Sequence, residues 1–281
     1  MKFWKMQGCG NDFIVIDGRL DGRNDDSYSE DALRFCSRKF SIGADGFIVV
    51  KNSVSSDIKM VYYNADGSRG EMCGNGIRCF SKYIIENKII EKSVFSVETL
   101  GGEKEINLQI AENGEVSSIS VDMGQGSFEP ELIPVHNIYK DKKRFIDETI
   151  IVLNKEFKVS SILMGVPHTV VFVDEEIDIK KLEKYGPEIE NHPTFPKRTN
   201  VNFVRVIDKN NIFVQTWERG CGYTYGCGTG MTASAIIANY FGYTSKNVNV
   251  SSFGGRVNIK ISAEGTLMTG SAEKVFEGNI Y

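Results

Sequence analysis

Two cysteines, Cys73 and Cys227, stand in the same local sequence 154 residues apart, as Cys73-Gly74-Asn75-Gly76 and Cys227-Gly228-Thr229-Gly230. Each is followed by apolar residues at helical spacing, from Ile77 to Ile85 and from Met231 to Tyr240, so each thiol is expected at the N-terminus of an amphipathic helix. The unsatisfied backbone N–H groups and the positive end of the dipole lower a thiol's pKa there, and the same groups can hold a carboxylate. Two such sites brought face to face would give an anion cradle flanked by two reactive sulfurs. Inverting an α-carbon requires a proton to leave from one face and another to arrive at the opposite face, which is simplest with two acid/base groups, one starting as thiolate and one as thiol. The α-hydrogen of an amino acid is a very weak acid. Backbone N–H groups of Gly74, Asn75, Gly228 and Thr229, aimed at the α-carboxylate in a water-poor cleft, are the expected stabilisers of the carbanion. The scheme uses no cofactor and no metal.

The elements that must position these thiols also occur twice. Upstream lie the strand-like runs Ile58 to Tyr63 and Ile212 to Trp217; downstream, Thr99-Leu100-Gly101-Gly102 matches Ser252-Phe253-Gly254-Gly255. Further back, Phe13 to Asp17 parallels Val170 to Asp174, and Phe47 to Val50 parallels Phe203 to Val206. A repeat of roughly 155 residues is too long for a solenoid and fits a duplicated domain. Residues 1–124 with 271–281 are expected to form an N-terminal domain carrying Cys73, and 125–270 a C-terminal domain carrying Cys227. Two like domains are expected to pack about a pseudo-twofold axis, with equivalent helix ends across one cleft.

The totals agree with a chain of two medium domains. Among 281 residues, 41% are hydrophobic and 25% charged, an ordinary globular composition. No apolar run reaches the roughly 20 residues that span a bilayer, and Met1 to Met6 runs straight into a strand pattern, so a cytoplasmic protein is expected. A net charge of -4 without blocks of like charge argues against a nucleic-acid surface. A small amino-acid ligand is the expected partner, with no membrane surface and with a homodimer left open. Six cysteines in a cytosolic chain read as thiols; Cys9, Cys36, Cys79 and Cys221 are expected to be structural. Cys73 and Cys79 are about 120° from alignment on a helix, which does not suit a shared metal.

Read in order, the chain opens with strands Phe3 to Met6 and Phe13 to Asp17 about a Gly-rich turn. Ser29 is expected to cap a helix running to about Phe40. Strands follow at Phe47 to Val50 and Ile58 to Tyr63, then the first Cys helix. From Val94 to Met123 the pattern alternates, with Asn113-Gly114 as a hairpin signal. Residues 124–150 read as the crossing between domains. Strands near 150–153 and 169–173, a helix near 178–184, a strand from Val201 to Val206 and a hairpin through 209–211 lead to Trp217, and the segment after Gly270 is expected to return to the first domain. The fold class is α+β with mixed sheets.

The string Asn64-Ala65-Asp66-Gly67-Ser68-Arg69-Gly70-Glu71-Met72-Cys73-Gly74-Asn75-Gly76-Ile77-Arg78-Cys79 closely resembles the signature of the diaminopimelate epimerase family. So do Gly8-Cys9-Gly10-Asn11-Asp12-Phe13, Gly165-Val166-Pro167-His168, Thr199-Asn200 and Glu218-Arg219-Gly220 followed by Cys227-Gly228-Thr229-Gly230. These matches run in the family's order along nearly the whole chain. The resemblance implies two pseudosymmetric α/β domains, each a curled sheet around a central helix, and an active site between them. It implies an isomerase that works without pyridoxal phosphate, converting LL-diaminopimelate to the meso form that feeds lysine synthesis and peptidoglycan. By the same resemblance His168 and Glu218 tune the thiol pKa values, and Asn11, Asn64, Asn200, Glu218 and Arg219 join Gly74, Asn75, Gly228 and Thr229 in binding substrate.

Three features depart from the family's pattern. Val166 stands where many members carry asparagine, Gly46 where some carry glutamine, and Cys221 to Gly226 is more aromatic than usual. They leave open a related two-cysteine racemase acting on histidine or lanthionine. A protein of another class, a thiol redox switch or an amino-acid-binding module without turnover, is separated from both enzymes by exchange of the α-hydrogen with solvent.

Overall fold

The computed structural model describes residues 1–281 apart from 113 and 140. The chain forms two compact units, Met1–Asp122 with Thr269–Tyr281, and Met123–Met268. The sequence reading sets both crossings two residues later, at 124 and 270.

In the first unit the elements are β1 (Lys2–Gly8), β2 (Asn11–Asp17), α1 (Ser29–Phe35), β3 (Gly46–Lys51), β4 (Ile58–Asn64), α2 (Gly74–Glu86), β5 (Val94–Glu98), β6 (Lys104–Ile110) and β7 (Val116–Asp122). β1 and β2 are antiparallel, β2 and β3 parallel, β3 and β4 antiparallel, β4 and β5 parallel, and β5 to β7 antiparallel in succession. The sheet is covered on both faces. Ile14, Ile16, Phe47, Val49 and Val61 pack with Ala32 and Phe35 of α1, while α2 packs on β1, β2, β3 and β7. Double coverage explains why Phe13 to Ile16 and Phe47 to Val50 are unbroken apolar runs, all fully buried, instead of alternating.

The second unit repeats this plan with β8 (Glu148–Val152), β9 (Lys155–Met164), β10 (Val166–Phe172), α3 (Ile179–Glu190), β11 (Asn200–Asp208), β12 (Asn211–Glu218), β13 (Gly222–Thr224), α4 (Gly228–Tyr240), β14 (Asn247–Ser252) and β15 (Gly255–Ile261), and the chain leaves it within β16 (Thr266–Gly270). β9 and β10 are antiparallel, β10 and β11 parallel, β11 and β12 antiparallel, β12 and β14 parallel, and β14 and β15 antiparallel. Strand for strand this is the order and sense of β1 to β6. β17 (Glu273–Asn279) then returns to the first unit and pairs antiparallel with β1, as β8 pairs with β9.

The ladders refine the internal alignment. The rung Val15, Ile48, Tyr62 corresponds to Val170, Asn202, Thr216. Two of the strand equivalences read from sequence therefore move by two residues: Phe13 matches His168 and not Val170, and Phe47 matches Val201 and not Phe203. A two-residue slip preserves the face of every side chain, so apolar pattern alone could not detect it.

Other expectations change for local reasons. α1 stops at Phe35, and Ser29 does not cap it. Tyr28 holds the N-cap position of α1 without a side-chain cap, Asn24 caps the short 3-10 helix Asp25–Tyr28 before it by accepting from the Asp26 N–H, and the Ser29 hydroxyl donates to the Gly67 carbonyl at 2.8 Å. β9 is a ten-residue strand that the sequence reading passed over, because Val159 to Ile162 are buried on consecutive positions. α3 runs on through Gly186 and Pro187; a Cβ at Gly186 would lie 2.6 Å from the Trp217 ring. α4 is buried on all sides from Gly230 to Ala238, so it is a core helix and not an amphipathic one. Of the hairpin signal between β6 and β7, Asn113 lies outside the described residues, and Gly114 takes the left-handed conformation at φ 83. No helix among the described residues is long and apolar enough to cross a membrane.

Candidate active site

Both cysteines are the N-caps of their helices, Cys73 before α2 and Cys227 before α4, each with extended backbone. β4 ends nine positions before Cys73, at Asn64, and β12 ends nine before Cys227, at Glu218, with the short β13 intervening only in the second unit. The half-sites are thus built on one backbone plan, and their side chains differ.

In the first unit, Cys73 is half-buried, and its sulfur accepts the Gly76 N–H at 3.4 Å, the capping role usually given to an oxygen. The same sulfur lies 3.6 Å from Asn11 Oδ1. Asn11 is held by its other end, its Nδ2 donating to Asp45 at 2.6 Å. Because that carboxylate only accepts, the amide orientation is fixed, and Arg38 braces Asp45 from the far side at 2.6 Å. Asn64 accepts the Tyr62 hydroxyl at 2.8 Å and donates to Ser68 at 2.9 Å. Gly74 and Asn75 form the buried first turn of α2. The Asn75 side chain accepts from Arg78 at 2.9 Å. Gly46 finds a physical reason here: a Cβ at that position would lie 2.5 Å from the Tyr62 ring. A glutamine would have to displace Tyr62.

In the second unit, Cys227 is buried, with 8% of its surface exposed, and its sulfur lies 3.3 Å from the Thr229 hydroxyl. That hydroxyl is 3.0 Å from His168 Nε2. His168 is fully buried on β10, and desolvation, helped by the charge of Arg219, lowers its pKa to about 3; the ring is neutral at physiological pH. Glu218 ends β12 and accepts the Thr224 hydroxyl at 2.6 Å. Asn200 donates to the Pro167 carbonyl and accepts the Arg219 N–H, each at 2.9 Å, so its amide secures the turn that carries Arg219. Glu190, at the end of α3, braces the same turn by accepting the Gly220 N–H at 3.1 Å and the Trp217 indole N–H at 2.7 Å. Val166 opens β10 opposite Met164, and its side chain offers no polar atom.

The structure therefore gathers Asn11, Cys73, Gly74 and Asn75 in the first unit, and His168, Cys227, Gly228 and Thr229 in the second, with Asn200 and Arg219 joined to each other. The sequence reading missed Asp45, Tyr62, Glu190 and Asn202 as supports of these groups. None lies in a motif: Asn202 comes to His168 through strand register, Asp45 and Glu190 come from a turn and a helix end, and Tyr62 lies two residues before Asn64 on β4.

A sequence profile of the diaminopimelate epimerase family matches residues 3–129 and 160–275. The chain belongs to the diaminopimelate epimerase family. It is 46% identical to the diaminopimelate epimerase of Caldanaerobacter subterraneus subsp. tengcongensis, over 100% of this chain and 99% of that protein. The corresponding figures for the enzyme of Clostridium perfringens are 45%, 99% and 98%. Among solved structures it resembles a probable proline racemase from Agrobacterium radiobacter (TM-score 0.75, 14% identity, 100% of this chain and 92% of that one). A hydroxyproline epimerase from Agrobacterium vitis gives a TM-score of 0.73 at 16% identity, over 99% and 91% of the two chains. At such identities these likenesses establish the fold, and they establish it for the whole chain: an α+β protein of two topologically equivalent units, each with a mixed sheet and a central helix. Within the family, the full-length match reaches both cysteine half-sites.

Proposed function

We propose that this protein is a cofactor-independent epimerase that inverts one α-carbon of LL-diaminopimelate to give the meso form. The observation that carries the reading is the end-to-end relation to diaminopimelate epimerases, 46% identical over the full chain, in a molecule whose two equivalent helices are each capped by a cysteine. One sulfur, as thiolate, takes the α-proton and becomes a thiol. The electron pair stays on the α-carbon and is delocalised into the carboxylate, which helix N-terminal N–H groups stabilise. The other thiol gives its proton to the opposite face and becomes the thiolate, so each turnover exchanges the roles of Cys73 and Cys227. Arg219 and the amides of Asn11 and Asn64 are the proposed contacts to the substrate's head groups, with Arg219 suited to a bidentate carboxylate pair. Thiol-dependent chemistry of this kind fits a reducing compartment, the cytoplasm.

Incorporation of deuterium at Cα in D₂O, followed by proton NMR with LL-diaminopimelate, meso-lanthionine and L-histidine in parallel and no cofactor added, tests the proposal. Exchange with diaminopimelate well above the other two is expected. Faster exchange with histidine or lanthionine would move the assignment to another amino acid, and no exchange with any of the three would remove the epimerase reading.

A further inference from the structure

Thr229 can meet Cys227 either as donor or as acceptor, and the choice is made two residues away from any contact with the sulfur. Asn202 lies on β11, fully buried beneath the first turn of α4. Its Nδ2 is 3.3 Å from the Thr169 carbonyl and 3.3 Å from His168 Nδ1. Its Oδ1 accepts the Thr216 hydroxyl at 3.1 Å. A carbonyl oxygen can only accept, so Thr169 fixes which end of the amide is Nδ2, and that end presents a donor to His168 Nδ1. The neutral ring must then accept at Nδ1 and carry its proton on Nε2. Nε2–H donates to Thr229 Oγ1, whose own proton is left to point at Cys227. A Cβ at Gly230 would lie 2.4 Å from Asn202 Oδ1, so glycine in the helix turn is what lets the amide sit there.

We propose that Asn202 is a positioning residue for the Cys227 half-site. Through the relay Asn202, His168, Thr229 it selects the Nε2–H tautomer of His168 and directs the Thr229 hydroxyl as a donor to the Cys227 sulfur, favouring its thiolate. The inference rests on the epimerase reading for its relevance to catalysis, and its geometry is independent of substrate.

The test is alkylation of the full-length protein by iodoacetamide at pH 7, with the rate at each cysteine read by peptide mass spectrometry. Asn202→Ala is expected to slow Cys227 about tenfold, the equivalent of one pKa unit, while Cys73 keeps its rate. Thr229→Val is expected to do the same. In the wild-type protein, nitrogen-15 NMR of His168 is expected to show the Nε2–H tautomer. An unchanged Cys227 rate in a folded Asn202→Ala protein, an equal slowing of both cysteines, or an Nδ1–H tautomer would each overturn the proposal. If Asn202→Ala does not fold, Thr229→Val and the wild-type tautomer decide. None of these readouts uses diaminopimelate, so failure of the exchange assay and failure of the relay are separate results.

Discussion

Beneath its central helix the first unit presents Phe13 and Ile48 at the positions where the second presents His168 and Asn202. Gly76 shows the equivalence directly, since a Cβ there would touch Ile48 and Phe13, as one at Gly230 would touch Asn202. One duplicated backbone thus carries an apolar floor in one half and a hydrogen-bonded polar floor in the other. Cys73 is served from its own helix, by the Gly76 N–H, and from the side by Asn11. Cys227 lies 3.3 Å from the Thr229 hydroxyl, which is itself 3.0 Å from the buried His168. The comparison teaches that the thiol positions are a property of the backbone plan, whereas the hydrogen bonds that bias each sulfur are a property of a few side chains that diverged.

If both thiols act on one α-carbon, the halves are equally indispensable despite their difference. Cys73→Ala and Cys227→Ala should each lower epimerisation by about 10³-fold or more, the scale of a lost acid/base group. Normal turnover in either variant, measured by conversion of LL- to meso-diaminopimelate, would break the two-thiol reading.

The floors should respond unequally to a single methyl group. Gly230→Ala must displace Asn202, with its oxygen at 2.4 Å, whereas Gly76→Ala meets the Cys73 Cβ and the Ile48 Cδ1 at 3.2 Å. Gly230→Ala is expected to cost about 10²-fold in kcat through misplacement of Thr229 and Cys227, and about 2 to 3 kcal/mol in stability. Gly76→Ala should cost about 1 kcal/mol and far less activity. Equal losses in denaturant titrations and in kcat would show that the two floors are not distinct.

The polar floor should also make the second half sensitive to acid. His168 has its pKa lowered from 6.5 to about 3 in the folded protein, so below pH 6.5 the unfolded chain binds a proton that the folded one does not. Its contribution is present above pH 6.5 and is lost as the pH falls toward 3, about 2 kcal/mol by pH 5. Denaturant titrations at pH 7 and pH 5 should show that loss in the wild type and a smaller one in His168→Gln. No difference in slope between the two proteins would mean that His168 is protonated when folded. The smallest effect is expected at Asn75, the counterpart of Thr229. Its side-chain oxygen is engaged by Arg78 at 2.9 Å, so Asn75→Ala should cost about 1 kcal/mol and leave alkylation of Cys73 unchanged. A marked change in that rate would give the first half a relay of its own.

How much of this was legible beforehand follows from the range of each interaction. Helix starts at Cys73 and Cys227, the continuous apolar strands and the duplication are local or periodic features, and they could be read from the chain. The early end of α1 could not, because the Phe35 and Cys36 carbonyls are taken by the N–H groups of Gly43 and Ala44 and not by a further turn of helix. The strand β9 was hidden because its buried residues do not alternate. Candidate site residues in motifs were found by type and spacing. Asp45 and Glu190 were not, since each earns its place through a partner on another element.

The sequence by itself determined where the thiols sit, that they are two of a kind, and the family to which the chain belongs, because capping, periodicity and repeated motifs are encoded over a few consecutive residues. The tertiary structure alone decided that Phe13 corresponds to His168 and Ile48 to Asn202, and hence that the two sulfurs meet different hydrogen-bonding surroundings. Strand register sets those correspondences, and a two-residue slip leaves the apolar pattern of a strand unchanged while altering every neighbour across the sheet.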